Sequence, residues 1–480
     1  MQNSLPCSHG RPLARSQPSA QHKLGKTVAA AVCRPRPALS THHLRRRIME
    51  QQLVEKHTNQ GVGSKLPHLA DCVYLDYNAT TPIFPEVAEA MKPYTYELFG
   101  NPSSVHAYGR QTRAAVDKAR QQVAALISCT PSEVCFTSCG TESDNWALWG
   151  AVMGRGRGMT QGQLPHVVTS QMEHPAVTAC LRSMADMGLC TYTAVPVDSQ
   201  GLVSAADVVA ALTPSTVLVS VMHSNNEVGA LQPVAAIAAA VRQAAPSCLI
   251  HSDAAQSMGK VCVDVRELGV DLLTLVGHKF GAPKGVAALY IRQGTQLANL
   301  LNGGSQEAGR RGGTENVVLL AGLGTAAELA RSEAAATHAH MRRMRDRLAA
   351  GLLAALPQHL VRINGPEEAS LQLPNTLSIS VKGLSAPSLL QMLTDKLAAS
   401  AGAACHSSHG PAVSPVLQAM RLHPNYAVGT LRLSTGRHTT PEEVDSAVQL
   451  IVGAARKQGL DFSSSDSSRI TANGCSEQQH

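Results

Sequence analysis

Several short apolar segments of this 480-residue sequence are followed by polar residues that could do chemistry. Lys279 and Asp253 each stand at or just after the end of one such segment, and His174 follows another. Thr141 follows a fourth segment and opens a helical pattern. If these segments are parallel strands of one sheet, their carboxyl ends meet at one edge and gather the four side chains there.

Together these four residues are typical of a site for pyridoxal phosphate. A lysine amine can condense with the cofactor's aldehyde, a carboxylate keeps its pyridine nitrogen protonated, and a helix start binds its phosphate. Each residue also has an ordinary structural explanation. Lys279 could be a surface lysine, Asp253 a helix cap, His174 a core residue and Gly140-Thr141 a turn. Their common position at strand ends favours the cofactor site.

The apolar segments have the length and composition of buried strands. They are apolar on both faces and alternate with helical patterns at 110–127 and 234–244, as a parallel sheet with crossover helices requires. We therefore predict an α/β domain with a mainly parallel sheet, its strands at 134–136, 166–169, 217–221, 249–251, 272–276 and 286–291.

A smaller α+β domain is predicted after the Ala-rich pattern 319–356, which we interpret as one long helix. Strands at 375–381 and 429–434 and a capped helix beginning at Thr440 would fill it. The predicted organisation is a disordered basic leader (1–70), an N-terminal segment packing on the small domain (71–85), a large pyridoxal phosphate-binding domain (86–330), the small domain carrying the Cys405 loop (331–460) and a disordered tail (461–480).

The positive charge of the chain is concentrated at its N-terminus. Residues 1–49 contain nine Lys or Arg and no acid, while the whole chain has a net charge of +7, so the remainder carries −2. A near-neutral folded part gives no reason to expect nucleic acid or an anionic membrane as partner. The basic leader is typical of a mitochondrial presequence, but translation could also begin at Met49.

The twelve cysteines show neither a CxxC motif nor regular spacing. This pattern predicts no disulfide framework and no metal site, and it favours a reducing intracellular compartment. No segment approaches the roughly 20 unbroken apolar residues of a membrane span, so no such span is predicted.

Between residues 74 and 457 the sequence resembles the cysteine desulfurase and selenocysteine lyase group of fold type I pyridoxal phosphate enzymes. The resemblance implies an aspartate aminotransferase-like fold with a seven-stranded sheet. It is carried by the motifs DYNATTP (76–82), NPSSVH (101–106), TES (141–143), EH (173–174), NNE (225–227), DAAQ (253–256), HK (278–279) and RLS (432–434).

The resemblance also implies roles for individual residues. Lys279 would bind pyridoxal phosphate covalently and move the substrate's Cα proton, Asp253 would pair with the ring nitrogen, and His174 would stack on the ring. The remaining roles are hydrogen bonds from Gln256 and Asn226 to the phenolic oxygen, phosphate binding by Thr141, His278 and the partner subunit's Thr314, and substrate binding by Arg432 and Asn78. The role of Thr314 implies a homodimer.

Cys405 lies between Gly402 and Gly410 in a segment of small residues. The resemblance implies an active-site thiol, which could attack the substrate's selenium or donate a proton to departing selenide.

Two residues depart from the desulfurase pattern. Val276 replaces a common phosphate-binding serine. Cys139 replaces the glycine that usually precedes the phosphate-binding turn Gly140-Thr141-Glu142, which we call the phosphate cup.

Three functions compete. The first, favoured by the segment around Cys405 and by Val276, is decomposition of L-selenocysteine to L-alanine and selenide in the cytosol, with selenophosphate synthetase as a possible acceptor. The second, favoured by the leader, is a mitochondrial cysteine desulfurase for iron-sulfur cluster assembly. The third is an inactive binding scaffold, which the presence of Lys279, Asp253 and Arg432 disfavours.

Overall fold

A computed structural model of the protein describes residues 71–155, 163–404 and 412–460. The predictions for residues 1–70, Cys405 and residues 461–480 lie outside the described residues. The strands of the described chain are β1 (Val73–Tyr74), β2 (Val134–Thr137), β3 (His166–Ser170), β4 (Thr191–Val195), β5 (Thr216–Ser220), β6 (Leu249–Asp253), β7 (Leu272–Val276), β8 (Ala287–Ile291), β9 (Val361–Asn364), β10 (Thr376–Val381), β11 (Leu397–Ala398), β12 (Ser400–Ala401), β13 (Ala403–Ala404), β14 (Ala412–Val413) and β15 (Thr430–Ser434).

Helices separate most of these strands, and many begin with proline, which suits the first helical turn. In chain order they are α1 (Pro85–Met91), α2 (Pro93–Tyr96), α3 (Ala107–Leu126), α4 (Gly140–Arg155), α5 (Pro175–Asp186), α6 (Ala205–Ala210), α7 (Val234–Ala244), α8 (Val265–Leu268), α9 (Val317–Ser332), α10 (Ala334–Ala355), α11 (Ala386–Met392), α12 (Pro415–Ala419), α13 (Pro424–Ala427) and α14 (Pro441–Lys457). None of the helices in the described ranges is long and apolar enough to cross a membrane.

The larger sheet has seven strands in the order β2-β8-β7-β6-β5-β3-β4. β8 is antiparallel to both of its neighbours, and the other neighbouring pairs are parallel. This confirms the predicted α/β fold and the six strands predicted for it. The edge strand β4 was not predicted, because most of its residues are exposed and it lacks the apolar signal of its neighbours.

Both faces of this sheet are buried. Alternate strand residues belong to two separate apolar clusters: Val168 and Val219 to one, and Val167 and Leu218 to the other. Helices α3, α7 and α9 contribute to the first cluster, and α4 and α5 to the second. Covering a sheet with helices on both faces leaves its carboxyl edge as the place where polar side chains can meet.

The smaller sheet is antiparallel, in the order β12-β15-β10-β9. Its core includes Leu348 of α10 and Ile451 of α14, and Leu75 of the N-terminal segment is also buried there. The neighbouring strand β1 pairs with β11. The domain limits proposed above stay predictions.

The long helix predicted at 319–356 is wrong in one respect, because the structure divides it into α9 and α10. Glu333 departs from helical geometry at φ −105° and ψ 6°. The Ser332 hydroxyl donates to the backbone oxygen of Glu328 at 2.8 Å, and Glu333 pairs with Arg437 at 2.8 Å. Side-chain hydrogen bonds of this kind compete with the helical pattern, and here the chain passes from one apolar core to the other.

Candidate active site

A cavity of about 420 Å³ lies at the carboxyl edge of the large sheet. It gathers every site residue named from the sequence except Thr314 and Cys405. The members of that set which line it are Asn78, Thr141, His174, Asn226, Asp253, Gln256, His278, Lys279 and Arg432. Their convergence follows from the sheet order, since β5, β6 and β7 are adjacent parallel strands.

Lys279 ends a 3₁₀ turn, Gly277–Lys279, that directly follows β7. Its Nζ donates to the backbone oxygens of Asn78 at 2.8 Å and Ala79 at 2.9 Å. Burial, and next the nearby Arg432 guanidinium, lower the pKa of Lys279 to about 8, although Asp253 opposes this shift. The lowered pKa increases the fraction of this amine that is neutral, and nucleophilic, near neutral pH.

Asp253 is the last residue of β6, and its Oδ1 accepts from the backbone N–H of Ala255 at 2.9 Å. Burial raises its pKa, and the nearby His174 and Lys279 act in the opposite direction. A cationic ring nitrogen beside Asp253 would stabilise the carboxylate.

His174 caps helix α5, where its Nδ1 accepts from the backbone N–H of Ala176 at 3.1 Å. That bond requires the tautomer protonated at Nε2. The surrounding protein lowers the pKa of His174 by desolvation, even though the ring borders the open cavity. His174 is therefore a neutral ring near neutral pH, suited to stacking on a planar group.

Gly140 and Thr141 form the first turn of the 16-residue helix α4, which supplies backbone N–H groups to an anion. A Cβ on Gly140 would lie 2.5 Å from Val276 Cγ2, so only glycine fits this turn. The His278 Nδ1 lies 3.1 Å from Thr80 Oγ1, and burial lowers the pKa of His278 to about 4. The phosphate cup thus offers neutral donors, which are the backbone N–H groups of α4 and the neutral His278 ring. Val276 borders the cup but has no hydroxyl to donate.

These strand-end residues, Thr141, His174, Asp253, His278 and Lys279, form what we call the cofactor end of the cavity. The other part is the carboxylate end, where Asn78 and Arg432 line the cavity and Asp76 and Ser400 accept hydrogen bonds from Arg432. These four residues belong to the N-terminal segment and the smaller sheet.

Arg432 of β15 is the centre of the carboxylate end. Its Nη2 donates to Asp76 Oδ1 at 2.8 Å and to Ser400 Oγ at 2.7 Å, and its Nη1 donates to the backbone oxygen of Asn226 at 3.3 Å. Its Nε is buried without a hydrogen-bond partner among the described residues. A guanidinium that lines the cavity and is held in place by Asp76 and Ser400 is suited to binding a carboxylate.

Asn78 is buried, and its side chain already makes four hydrogen bonds. Nδ2 donates to Asn226 O at 3.2 Å and Thr376 Oγ1 at 2.8 Å, while Oδ1 accepts from Lys260 Nζ at 3.1 Å and Asn375 Nδ2 at 3.0 Å. These contacts make Asn78 a link between the two sheets. Its implied role in substrate binding stays a prediction that requires one of these bonds to be exchanged.

Three buried groups near the cavity were given no role from the sequence. Asp144 lines the cavity, and burial raises its pKa well above the usual range. Burial raises the pKa of Glu173 to about 8, and one of its oxygens has no partner among the described residues. Lys260 is 4% exposed. Their spacing in the sequence could have identified two of them as neighbours of the site. Asp144 follows Thr141 by three residues on one helix face, and Lys260 lies in apolar sequence four residues after Gln256.

Thr314 and Cys405 are the two predicted residues outside this cavity. Thr314 is exposed in the loop before α9. Cys405 lies outside the described residues, although the flanking strands β13 and β14 pair with each other.

Residues 73–447 match the aminotransferase class-V family, so the chain belongs to this family of pyridoxal phosphate-dependent enzymes. Its relatives include the selenocysteine lyases of Bos taurus, 40% identical over 422 residues, and of Homo sapiens, 41% identical over 402 residues. These alignments cover 82% and 78% of this chain and 96% and 90% of the relatives. A cysteine desulfurase of Nostoc sp. is 40% identical over 380 residues, covering 79% of this chain and 92% of the relative.

Solved structures agree with this assignment. A NifS-like protein with 34% identity superposes with a TM-score of 0.73, covering 80% of this chain and 100% of its own. The structure of SspA in complex with cysteine, with 31% identity, gives a TM-score of 0.65 and covers 76% and 99%. The fold type I architecture expected from the sequence is thereby confirmed.

Proposed function

We propose that this protein is a pyridoxal phosphate-dependent selenocysteine lyase that converts L-selenocysteine to L-alanine and selenide. The observation that carries the proposal is the convergence of Lys279, Asp253 and Arg432 on one cavity. It supports an amino-acid enzyme, because an amine, a ring-nitrogen partner and a carboxylate receptor are the three groups such chemistry needs. The same convergence argues against an inactive scaffold.

The residues present fit pyridoxal phosphate. The start of α4 and His278 would hold its phosphate, Asp253 its ring nitrogen, His174 its ring face, and Gln256 and Asn226 its phenolic oxygen. When bound, the cofactor supplies an electron sink for carbanion chemistry at the amino acid's Cα.

The chain's own groups would then bind the substrate and move its protons. Arg432, which lines the cavity, would hold the substrate carboxylate, with Asp76 and Ser400 fixing the guanidinium. Lys279 Nζ would take the Cα proton, which its lowered pKa permits near neutral pH.

The overall conversion breaks the carbon–selenium bond and consumes two electrons and two protons. Cys405 could attack selenium, which leaves the carbon–selenium electron pair on carbon to be protonated and forms a selenenylsulfide that a thiol then reduces to selenide. As a proton donor it would instead protonate that carbon while an external thiol attacks selenium, and a second thiol then releases selenide. The electrons come from a thiol reductant, and we propose a selenium acceptor such as selenophosphate synthetase.

A homodimer is the proposed assembly, in which Thr314 would reach the partner's phosphate. Apolar side chains on the segment 96–108 support it, since large exposed apolar patches mark interfaces. The exposed fractions are 72% for Tyr96, 72% for Phe99, 88% for Val105 and 56% for Tyr108. Sedimentation that shows a fully active monomer would contradict the dimer.

The proposed location is the cytosol, with the mitochondrial matrix as the alternative. Imaging of the tagged full chain tests this proposal. Import with cleavage of residues 1–49 would overturn it.

Cysteine desulfurase is the second candidate, favoured by the 40% identity to the Nostoc enzyme. Steady-state kinetics with L-selenocysteine and L-cysteine on one purified sample separate the two. For a lyase we expect kcat/KM for cysteine to be at least about 10²-fold lower, roughly 2.7 kcal/mol in the barrier, and Cys405→Ala to lose selenocysteine turnover. Comparable values, or sulfur transfer to a scaffold protein, would establish the desulfurase instead.

A further inference from the structure

Lys260 lies beneath the cavity wall and is 4% exposed. Its Nζ donates to Gln256 Oε1 at 2.6 Å and to Asn78 Oδ1 at 3.1 Å. Of the residues that the structure describes, no carboxylate lies within 4.0 Å of this Nζ. This is unusual, because a buried lysine is normally paired with an acid.

The surroundings oppose a charge on Lys260 and so make its contacts costly to maintain. Burial, and then the positive charges of Lys279 and Arg432, lower the pKa of Lys260 well below its usual range. Among the described residues, the hydrogen bonds of its Nζ are the two to the amide oxygens of Gln256 and Asn78.

Those two contacts determine which way each amide points. In both contacts the lysine amine is the donor, so each amide turns its oxygen toward Nζ. Gln256 Nε2 is then directed to the backbone oxygen of Asn78, at 2.8 Å, on the cavity wall. Without Lys260, Gln256 Oε1 loses its donor, and within the described part of the chain only the bond from Nε2 to the Asn78 backbone oxygen still holds the amide.

We propose that Lys260 is a positioning residue for the cofactor, which fixes Gln256 as a hydrogen-bond donor and Asn78 as the link between the two sheets. This inference rests on the proposed pyridoxal phosphate site. Asn78 extends the link to the strand of Arg432, because its backbone N–H donates to Ser434 Oγ at 2.9 Å. Lys260 thus acts through Gln256 and Asn78 rather than by touching the cofactor.

The test is a double-mutant cycle on binding of pyridoxine 5′-phosphate to cofactor-free protein. This probe has the ring, phenolic oxygen and phosphate but no aldehyde, so equilibrium dialysis reports hydrogen bonding without covalent capture. We expect Lys260→Met to weaken binding about 10-fold in the wild-type background and less than about 2-fold in the Gln256→Ala background. Equal losses in both backgrounds, or no loss in the first, would overturn the proposal.

Lys118→Met is the matched control, because Lys118 is an exposed lysine of α3 far from this contact in sequence. It should bind the probe as the wild type does. If the wild-type protein itself takes up neither the probe nor pyridoxal phosphate, the proposed function fails, which is a different result from an intact site that ignores Lys260.

A second variant answers the question if Lys260→Met does not fold. In Gln256→Glu the new carboxylate would lie beside Lys260, so its melting temperature should remain within about 3 °C of that of Gln256→Ala. A buried carboxylate without a cationic partner is strongly destabilising. A melting temperature more than about 5 °C below that of Gln256→Ala would therefore contradict the contact and the proposal with it.

Discussion

The two ends of the cavity are built in different ways. The cofactor end consists of residues that follow strands of one sheet, such as Asp253 after β6 and Lys279 after β7. The carboxylate end brings Arg432 of the smaller sheet against Asp76 of the N-terminal segment, 356 residues away in sequence. The first end depends on the order of strands within one sheet, whereas the second depends on how separate segments pack.

This difference predicts that the two ends can be damaged separately. Substitutions at the cofactor end should change cofactor binding and turnover together. Substitutions at the carboxylate end should change substrate kinetics while cofactor binding is preserved.

The largest effect is expected at the cofactor end, from Lys279→Ala. It removes both the amine for covalent capture and the group that moves the Cα proton, so turnover should fall by more than about 10³-fold. Borohydride reduction followed by peptide mapping should label Lys279 in the wild type and nothing at this position in the variant. Retained turnover would show that another group does the proton transfer.

Arg432→Lys should produce the next largest effect, at the carboxylate end. Lysine keeps the charge but loses the planar fork that holds Asp76 and a substrate carboxylate together. We expect kcat/KM to fall about 10²-fold, mainly through KM, while the affinity for pyridoxal phosphate stays within about 2-fold of the wild type. An equal loss of cofactor affinity would show that the two ends are not independent.

The same difference explains how far the sequence could predict the site. Apolar strands and the polar residues after them are local patterns, so the sheet, Lys279, Asp253 and His174 could be recognised from the residues themselves. The pairing of Asp76 with Arg432 and the four bonds of Asn78 leave no local pattern. The edge strand β4 and the break at Glu333 were missed because exposure and side-chain contacts, rather than hydrophobic periodicity, determine them.

Glu173→Gln tests the electrostatics beneath the cofactor end. Burial, opposed by hydrogen bonds from Ser170 and Met222, raises the pKa of Glu173 from 4.5 to about 8. The folded state therefore holds a proton that the unfolded state loses above about pH 4.5. The proton held by Glu173 contributes fully to stability below about pH 4.5, and this contribution is lost as the pH rises through about 8.

Glutamine imitates the protonated acid and does not titrate. In cofactor-free protein we expect the melting temperature of Glu173→Gln to be within about 2 °C of the wild type at pH 6, and its advantage over the wild type to grow by about 3 °C by pH 9. A difference that stays constant across this range would mean that Glu173 is ionised throughout.

The smallest effect is expected from Val276→Ser, which adds a hydroxyl beside the phosphate cup. Val276 lines the cofactor end and packs against Gly140. A new hydrogen bond to phosphate should contribute about 1 kcal/mol, partly offset by the loss of buried methyl groups, so the affinity for pyridoxal phosphate should increase about 3-fold. The matched variant Val276→Ala loses the methyl groups without gaining a hydroxyl, and it should bind no more tightly than the wild type. If Ser and Ala behave alike, the phosphate does not reach this position, and the cofactor end is bounded by Gly140 and Thr141 instead.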